Sequence, residues 1–386
     1  MPKKIAIVGA SGKLGGAALA ALQAHNLHPT NDIIALTSSG PPSSPKWAAL
    51  TAANPGVEVR HASFDDPTTF ESALRGVDVF FLVSTPQISL DFGLGMDYDG
   101  TSTSGEGEQP RGREIHHKGA IDAAVRAGVS HIVYSSLAFG FSPASTSPAT
   151  QSITSLGTQS RAGVMRAHLR TEAYLDALVK RHDNSISVTI LREGLYSESW
   201  PLYLGYFDTS IFSEANATKE ENVTIPLAND GKITWTSIQD LGTASAVVIA
   251  SCASSSSSSS PEEFKNRAFY LSTSPKHAKT VTEIGRIVQD VAAEQQPHAS
   301  TLDIQVKLVG SEDHVRHYVE TRKMPQPAVE WWVSTYDALA AGECLIDDGD
   351  IGNTSGGMLE KLLARVGKKP VPVEETIRSM VTRFRE

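Results

Sequence analysis

The chain has 386 residues, 40% hydrophobic and 20% charged, ordinary globular usage that excludes collagen-like, coiled-coil and wholly disordered readings. At roughly 150 residues per domain it has room for two or three domains or one large α/β body. Its 34 basic and 43 acidic residues leave a net charge of −9, which supplies no electrostatic footprint for nucleic acid or an anionic membrane.

From the first residues the chain runs through Lys4–Val8, an expected strand, into a glycine turn before any signal-peptide core could form. No apolar run approaches a membrane span, and Cys252 and Cys344 cannot build a disulfide framework. The expected setting is therefore soluble, reducing and cytoplasmic, and the sequons at Asn216, Asn222 and Asn353 are chance matches. After the turn come a helix over Leu14–Ala24, a strand over Asp32–Leu36, a polar loop at Thr37–Pro45 and a short helix near Trp47–Ala53. Strands at Val57–His61, Val77–Val83 and Ile132–Tyr134 follow, separated by helices at Pro67–Leu74 and Glu114–Ala127. Near-continuous hydrophobicity in Val79–Val83 marks a strand covered on both faces. This alternation predicts βαβ units, a doubly wound parallel sheet of the Rossmann type.

Beyond it the pattern predicts a helix at Ala162–Arg181, a strand at Ser187–Leu191, and strands near Val223–Pro226 and Thr234–Ser237. A helix over Leu241–Ser251 with Asp240 as N-cap, and helices near Val281–Glu294, Glu312–Arg322, Ala328–Ala341 and Val373–Phe384, complete it. Polar loops are expected at Gly93–Gly112 and Ser142–Gly157, with a serine linker at Ser254–Ser260. The expected division is a dinucleotide-binding domain at 1–200, completed by parts of 230–272, and a smaller, mostly helical substrate portion at 201–386.

Gly9-Ala-Ser11-Gly12-Lys13-Leu14-Gly15 lies directly between the first strand and the first helix. Gly9 would allow the tight turn, Gly12 the approach of backbone to a pyrophosphate, and Gly15 close helix packing, with phosphates facing open amides at the helix start. A purely structural strand-to-helix turn would not need all three glycines. The second strand ends in Thr37-Ser38-Ser39 with Lys46 after the loop and no carboxylate, a pattern that suits the 2′-phosphate of NADP(H) over NAD. The alternative is a polar loop beside a solvated lysine. Asp65 could meet adenine edges, while Asp66 before Pro67 is also a natural helix cap.

These residues resemble the NmrA-like family of atypical short-chain dehydrogenases. The resemblance rests on Gly9–Gly15, Gly76–Ser84, Ala120–Ser136, His168-Leu-Arg-Thr-Glu172, Thr189–Gly194 and Lys369–Thr376, in the family's order along nearly the whole chain. Tyr134–Gly140 and Ala162–His168 look most like the fungal averufin-oxidase-like branch. The resemblance implies NADP(H) as ligand and either a reductase of quinones and aromatic polyketides or a redox-sensing regulator without turnover.

Ordinary short-chain dehydrogenases use a Tyr-x-x-x-Lys pair, and no tyrosine here has lysine four residues on. On the helix that should carry it, His168 and Glu172 share a face and form either a proton-transfer pair or an ordinary surface pair. Ser84, Thr85 and Pro86, Ser135, Ser136 and Leu137, and Gly194–Tyr196 all follow strand ends, where open α/β sheets bind ligands. Ser135 is the candidate assisting hydroxyl, with strand capping as its structural alternative. Leu137, Tyr196 and Trp200 are the candidate contacts to an aromatic substrate, most other aromatics between 200 and 212 being core. His116-His117 is too isolated for a metal site, and the cysteines lack ligand spacing.

Overall fold

The computed structural model describes residues 3–40, 42–94, 111–141, 159–182, 185–213, 221–254, 263–295, 302–347 and 357–384. Its centre is a seven-stranded sheet in which every pairing is parallel: β1 (Ile5–Val8), β2 (Ile33–Thr37), β3 (Glu58–His61), β4 (Val79–Leu82), β5 (His131–Leu137), β6 (Ser187–Glu193) and a strand at Arg267–Leu271, β8 below. The spatial order is β3-β2-β1-β4-β5-β6-β8, so the chain winds outward from β1 in both directions and leaves a switch point between β1 and β4. The unbroken apolar runs of β1, β2 and β4 are buried on both faces, while the polar β3 is the half-exposed edge.

Helices α3 (Thr68–Ala73), α4 (Glu114–Arg126) and α5 (Gly163–Arg181) cover one face, packing Phe70, Ile121 and Leu175 on Phe80, Ile132 and Ile190. On the other face lie α1 (Lys13–Ala24) and α7 (Ile238–Ala253), joined by α11 (Met358–Ala364), with Leu19, Val248 and Leu362 on Ile7, Phe81 and Leu191. The short α2 (Pro45–Ala53) opens on Ser44, whose hydroxyl accepts from the Trp47 amide. Gly242 brings α7 close to α1, since a Cβ there would stand 2.5 Å from that of Ala17.

A third apolar cluster builds the remainder around Trp200, Tyr203, Phe212, Trp332 and Tyr336. It is formed by α6 (Trp200–Tyr203), a parallel pair of β7 (Glu221–Leu227) with β9 (Leu302–Leu308), and helices α8 (Val281–Gln295), α9 (Ser311–Glu320), α10 (Gln326–Ala340) and α12 (Val373–Arg383). The last strand of the main sheet is β8 (Arg267–Leu271).

The expected strand at Thr234–Ser237 is instead a pair of isolated bridges, Tyr196 with Thr236 and Ile233 with Lys279, because its hydroxyls and backbone are taken by Ser272, Thr273 and Cys344. The helix expected from Leu241 starts three residues earlier. Ser237 caps it, and Asp240, inside the first turn and buried, accepts from the Val371 amide at 2.7 Å. The edge strand β8, β9 and α11 carry weaker patterns than the elements around them. The loop expected at 142–157, positions 95–110 of the loop at 93–112, and 255–260 of the serine run lie outside the described residues.

Candidate active site

The glycine turn joins β1 to α1 at the carboxyl end of the sheet. Gly9 has φ +67°, a conformation glycine adopts without strain, and a Cβ on Gly15 would stand 2.4 Å from the Gly9 carbonyl oxygen. Ser11, Gly12 and Lys13 are exposed, and the first turn of α1 carries neither an acidic residue nor a side-chain cap. Among the described residues the Ser11, Lys13 and Leu14 amides have no partner, which leaves a positive helix end open to an anion. The turn therefore fits a pyrophosphate.

Thr37 is buried, and its hydroxyl accepts from the Ser39 amide at 3.1 Å, so it shapes the loop after β2 while Ser38 stays exposed. Lys46, at the start of α2, is exposed and has no ion pair among the described residues. Asp65 is exposed after β3 and accepts from the Gln87 side-chain amide at 2.8 Å, linking the loops after β3 and β4. Asp66 accepts from the Thr68 amide at 3.2 Å and supports the start of α3.

The loop Ser84-Thr85-Pro86 is held by His117, a residue given no role from sequence. The Thr85 amide donates to His117 Nε2 at 3.2 Å, which puts the imidazole hydrogen on Nδ1. Nδ1 donates to Thr171 Oγ1 at 2.8 Å, and that hydroxyl donates onward to the Ala167 carbonyl at 2.8 Å. Tyr134 Oη lies 3.3 Å from His117 Nδ1 and donates to His168 Nδ1 at 2.9 Å. Four elements thus meet in one buried network.

This geometry corrects the expectation of a titrating His168–Glu172 pair. Burial, reinforced by Arg113 and other nearby cations, drives the His168 pKa well below its ordinary value, so the imidazole is neutral at pH 7. The Glu172 carboxylate is committed elsewhere: Arg192 donates to it through Nε at 3.0 Å and Nη2 at 2.6 Å, and Ser136 at 2.5 Å. Glu172 and Ser136 form a buried structural ion-pair cluster with Arg192. Trp200 is a second correction, being fully buried and packed on Phe207 at 5.6 Å in the third cluster, with no face left for a substrate.

Ser135, on the opposite face of β5 from Tyr134 and Ser136, donates to Glu193 Oε2 at 3.2 Å. Tyr196 donates to the same oxygen at 3.1 Å, and Ser245 of α7 reaches Oε1 at 3.5 Å. Burial pushes the Glu193 carboxyl up to about 8, partly opposed by hydrogen bonds from Tyr196, Ser135 and Ser245. Consecutive charges at the end of an apolar strand are the sequence signal for this arrangement, since alternation sends Arg192 and Glu193 to opposite faces. Leu137 and Tyr196 are half-buried where β5 and β6 end. A cleft of about 920 Å³ opens between Lys13 and Ala17 of α1, Glu198, the start of α7 and Thr376, Ser379 and Arg383 of α12. Among the described residues no three potential metal ligands come together, and no helix is long and apolar enough to cross a membrane.

A seven-stranded parallel sheet with an open glycine turn at its switch point defines a Rossmann-type dinucleotide-binding protein. Residues 1–259 match the NmrA-like family, and the chain belongs to it. An NmrA-like family domain-containing oxidoreductase of Aspergillus flavus is 24% identical over 382 residues, covering 98% of this chain and 95% of that protein. Quinone oxidoreductase 2 of Escherichia coli is 30% identical over 246 residues, 64% of each chain. The crystal structure of an NADPH-dependent quinone oxidoreductase of Escherichia coli complexed with NADPH superposes with a TM-score of 0.62 at 23% identity, covering 97% of this chain and 99% of that one.

Proposed function

We propose that this protein is an NADPH-dependent reductase of quinone-like aromatic compounds, aromatic polyketides of fungal secondary metabolism among them. The observation that carries this reading is the glycine turn, whose open amides at the start of α1 suit a dinucleotide's pyrophosphate. Gly9, Gly12 and Gly15 shape that cradle, and Ser11, Lys13 and Leu14 supply its amides. Thr37 sets the loop that presents Ser38 and Lys46 to a 2′-phosphate, and Asp65 stands at the adenine end. The reduced nicotinamide supplies the hydride. Ser84, Thr85 and Pro86, fixed by His117, line the carboxyl edge over which the ring would lie, while Ser135 is buried against Glu193, so the protein's contribution is orientation and exclusion of water. Leu137 and Tyr196 offer an apolar wall to a planar acceptor. The name of the Aspergillus flavus relative supports oxidoreductase chemistry, and that of the Escherichia coli relative a quinone as acceptor.

The test is NADPH consumption by the purified protein with a panel of benzo-, naphtho- and anthraquinones. Steady oxidation that depends on the quinone is expected. Tight NADPH binding with no turnover on any of them would overturn the reductase reading in favour of a cofactor sensor, whose occupancy alters its contacts with a partner.

A further inference from the structure

Glu193 is completely buried, yet among the described residues its oxygens meet three hydroxyls and no cation. Other buried carboxylates are held differently: Glu172, Asp91 and Glu114 each face an arginine, and Asp240 and Glu343 accept backbone amides, whereas Glu193 meets hydroxyls alone. Among the described residues, Glu193 pairs in register with Leu137 of β5 and meets groups from four places. From β5 comes Ser135, from α7 Ser245, from β8 its register partner Leu271, and from the turn after β6 Tyr196, the one ionisable neighbour, with Glu198 the next charge bearing on that phenol. Glu193, Ser135 and Ser245 are sealed, and Tyr196 alone keeps part of its surface outside the core. Tyr196, in the turn after β6, is thus the hydrogen-bond partner of Glu193 that stands nearest the surface.

We propose, resting on the reductase reading above, that Glu193 stores the proton that Tyr196 delivers to the substrate. Reduction of a quinone by two electrons needs a hydride, which the reduced nicotinamide supplies, and a proton for the carbonyl oxygen that gains the negative charge. The Tyr196 Oη–H bond breaks as a new O–H bond forms on that oxygen. The phenolate recovers its proton from the Glu193 carboxyl across the 3.1 Å contact, and the resulting carboxylate is reloaded from water once the product leaves. The net change is one NADPH, one quinone and one proton converted to NADP⁺ and hydroquinone. Burial, which holds the Glu193 pKa at about 8, keeps the store filled at neutral pH, a condition the neutral, shielded His168 cannot meet.

Infrared difference titration of the protein without substrate should show a protonated-carboxyl band that disappears as pH rises through about 8 and is missing in Glu193→Gln. With saturating NADPH and a naphthoquinone, turnover should fall through the same pH range, whereas Glu193→Gln should be at least tenfold slower with that limb gone. Tyr196→Phe should keep the band and lose the rate, which separates loss of the relay from loss of the fold. Absence of the band, or a Glu193→Gln enzyme with unchanged rate and pH limb, overturns the proposal. No NADPH oxidation by the unmodified protein overturns the reductase reading and with it the use of this proton, while the band still reports on the store itself.

Discussion

Gly12 and Lys46 put the cofactor reading to its most direct trial. A Cβ at Gly12 would lie 3.1 Å from the Gly9 carbonyl oxygen, and the branched side chain of Gly12→Val would reach into the space above the open amides. Calorimetry should show NADPH binding abolished, with far-ultraviolet circular dichroism unchanged, because the residue is exposed and its φ is not left-handed. Lys46→Glu replaces an attraction to the 2′-phosphate by a repulsion. NADPH affinity should drop about tenfold or more, at roughly 1.4 kcal/mol per factor of ten, with NADH affinity unaltered. Equal weakening of both coenzymes would remove Lys46 from the 2′-phosphate site. At this scale the sequence is informative where chemistry follows from local backbone, as at Gly9–Gly15, and uninformative where it follows from partners. The adjacent charges Arg192-Glu193 signal two opposite faces, but the local sequence does not say that Arg192 clasps Glu172 while Glu193 meets only hydroxyls.

Between elements, buried ion pairs tie α5 to its neighbours. Arg192 at the end of β6 holds Glu172, Arg170 of α5 holds Glu114 of α4, and Arg113 holds Asp91 while donating to the Val164 carbonyl at 2.9 Å. Removing one partner leaves the other charge buried. Glu172→Gln should therefore cost about 3–5 kcal/mol in chemical denaturation. Arg378→Ala, breaking the exposed pair with Glu294, should cost under about 1 kcal/mol. Comparable losses from the two substitutions would show that Arg192 is not held as described. Strong elements were legible from periodicity, α5 and α12 among them, and their ends lie within a few residues of expectation. β8 and β9 were not, because a short strand at a sheet's edge carries too few alternating residues to stand out.

Across the whole molecule, four buried histidines set the response to acid. Burial holds His131 and His314 at about 4 and drives His117 and His168 well below the ordinary value of 6.5. Their folded pKa values lie below the unfolded ones, so the unfolded chain binds more protons and stability falls as pH drops below about 6.5. Each contributes up to roughly 1.4 kcal/mol per pH unit until its own folded pKa is reached. Glu193 and Asp240, raised to about 8 and about 6, take up protons on folding and oppose this trend, so denaturation midpoints should fall more steeply between pH 6 and 5 than between pH 7 and 6. His314, fully buried among Tyr318, Trp332 and Tyr336 with neither nitrogen in an ordinary hydrogen bond, gives the control. His314→Phe should flatten the slope by about one proton, and an unchanged slope would exclude that imidazole as a source of acid sensitivity.

The sequence by itself determined the parallel sheet, the glycine turn at its switch point and the lack of a tyrosine–lysine pair, because strand burial, left-handed glycine and four-residue helical spacing are local properties of the chain. Only the tertiary structure decided which polar groups meet. His117 joined β4, β5 and α5 through bonds spanning tens of residues, Arg192 took Glu172 away from His168, and Trp200 went to the core. The proton-bearing carboxyl of Glu193 emerged for the same reason: a side chain's charge state is set by what packs around it, and packing partners distant in sequence leave no mark on the residues between them.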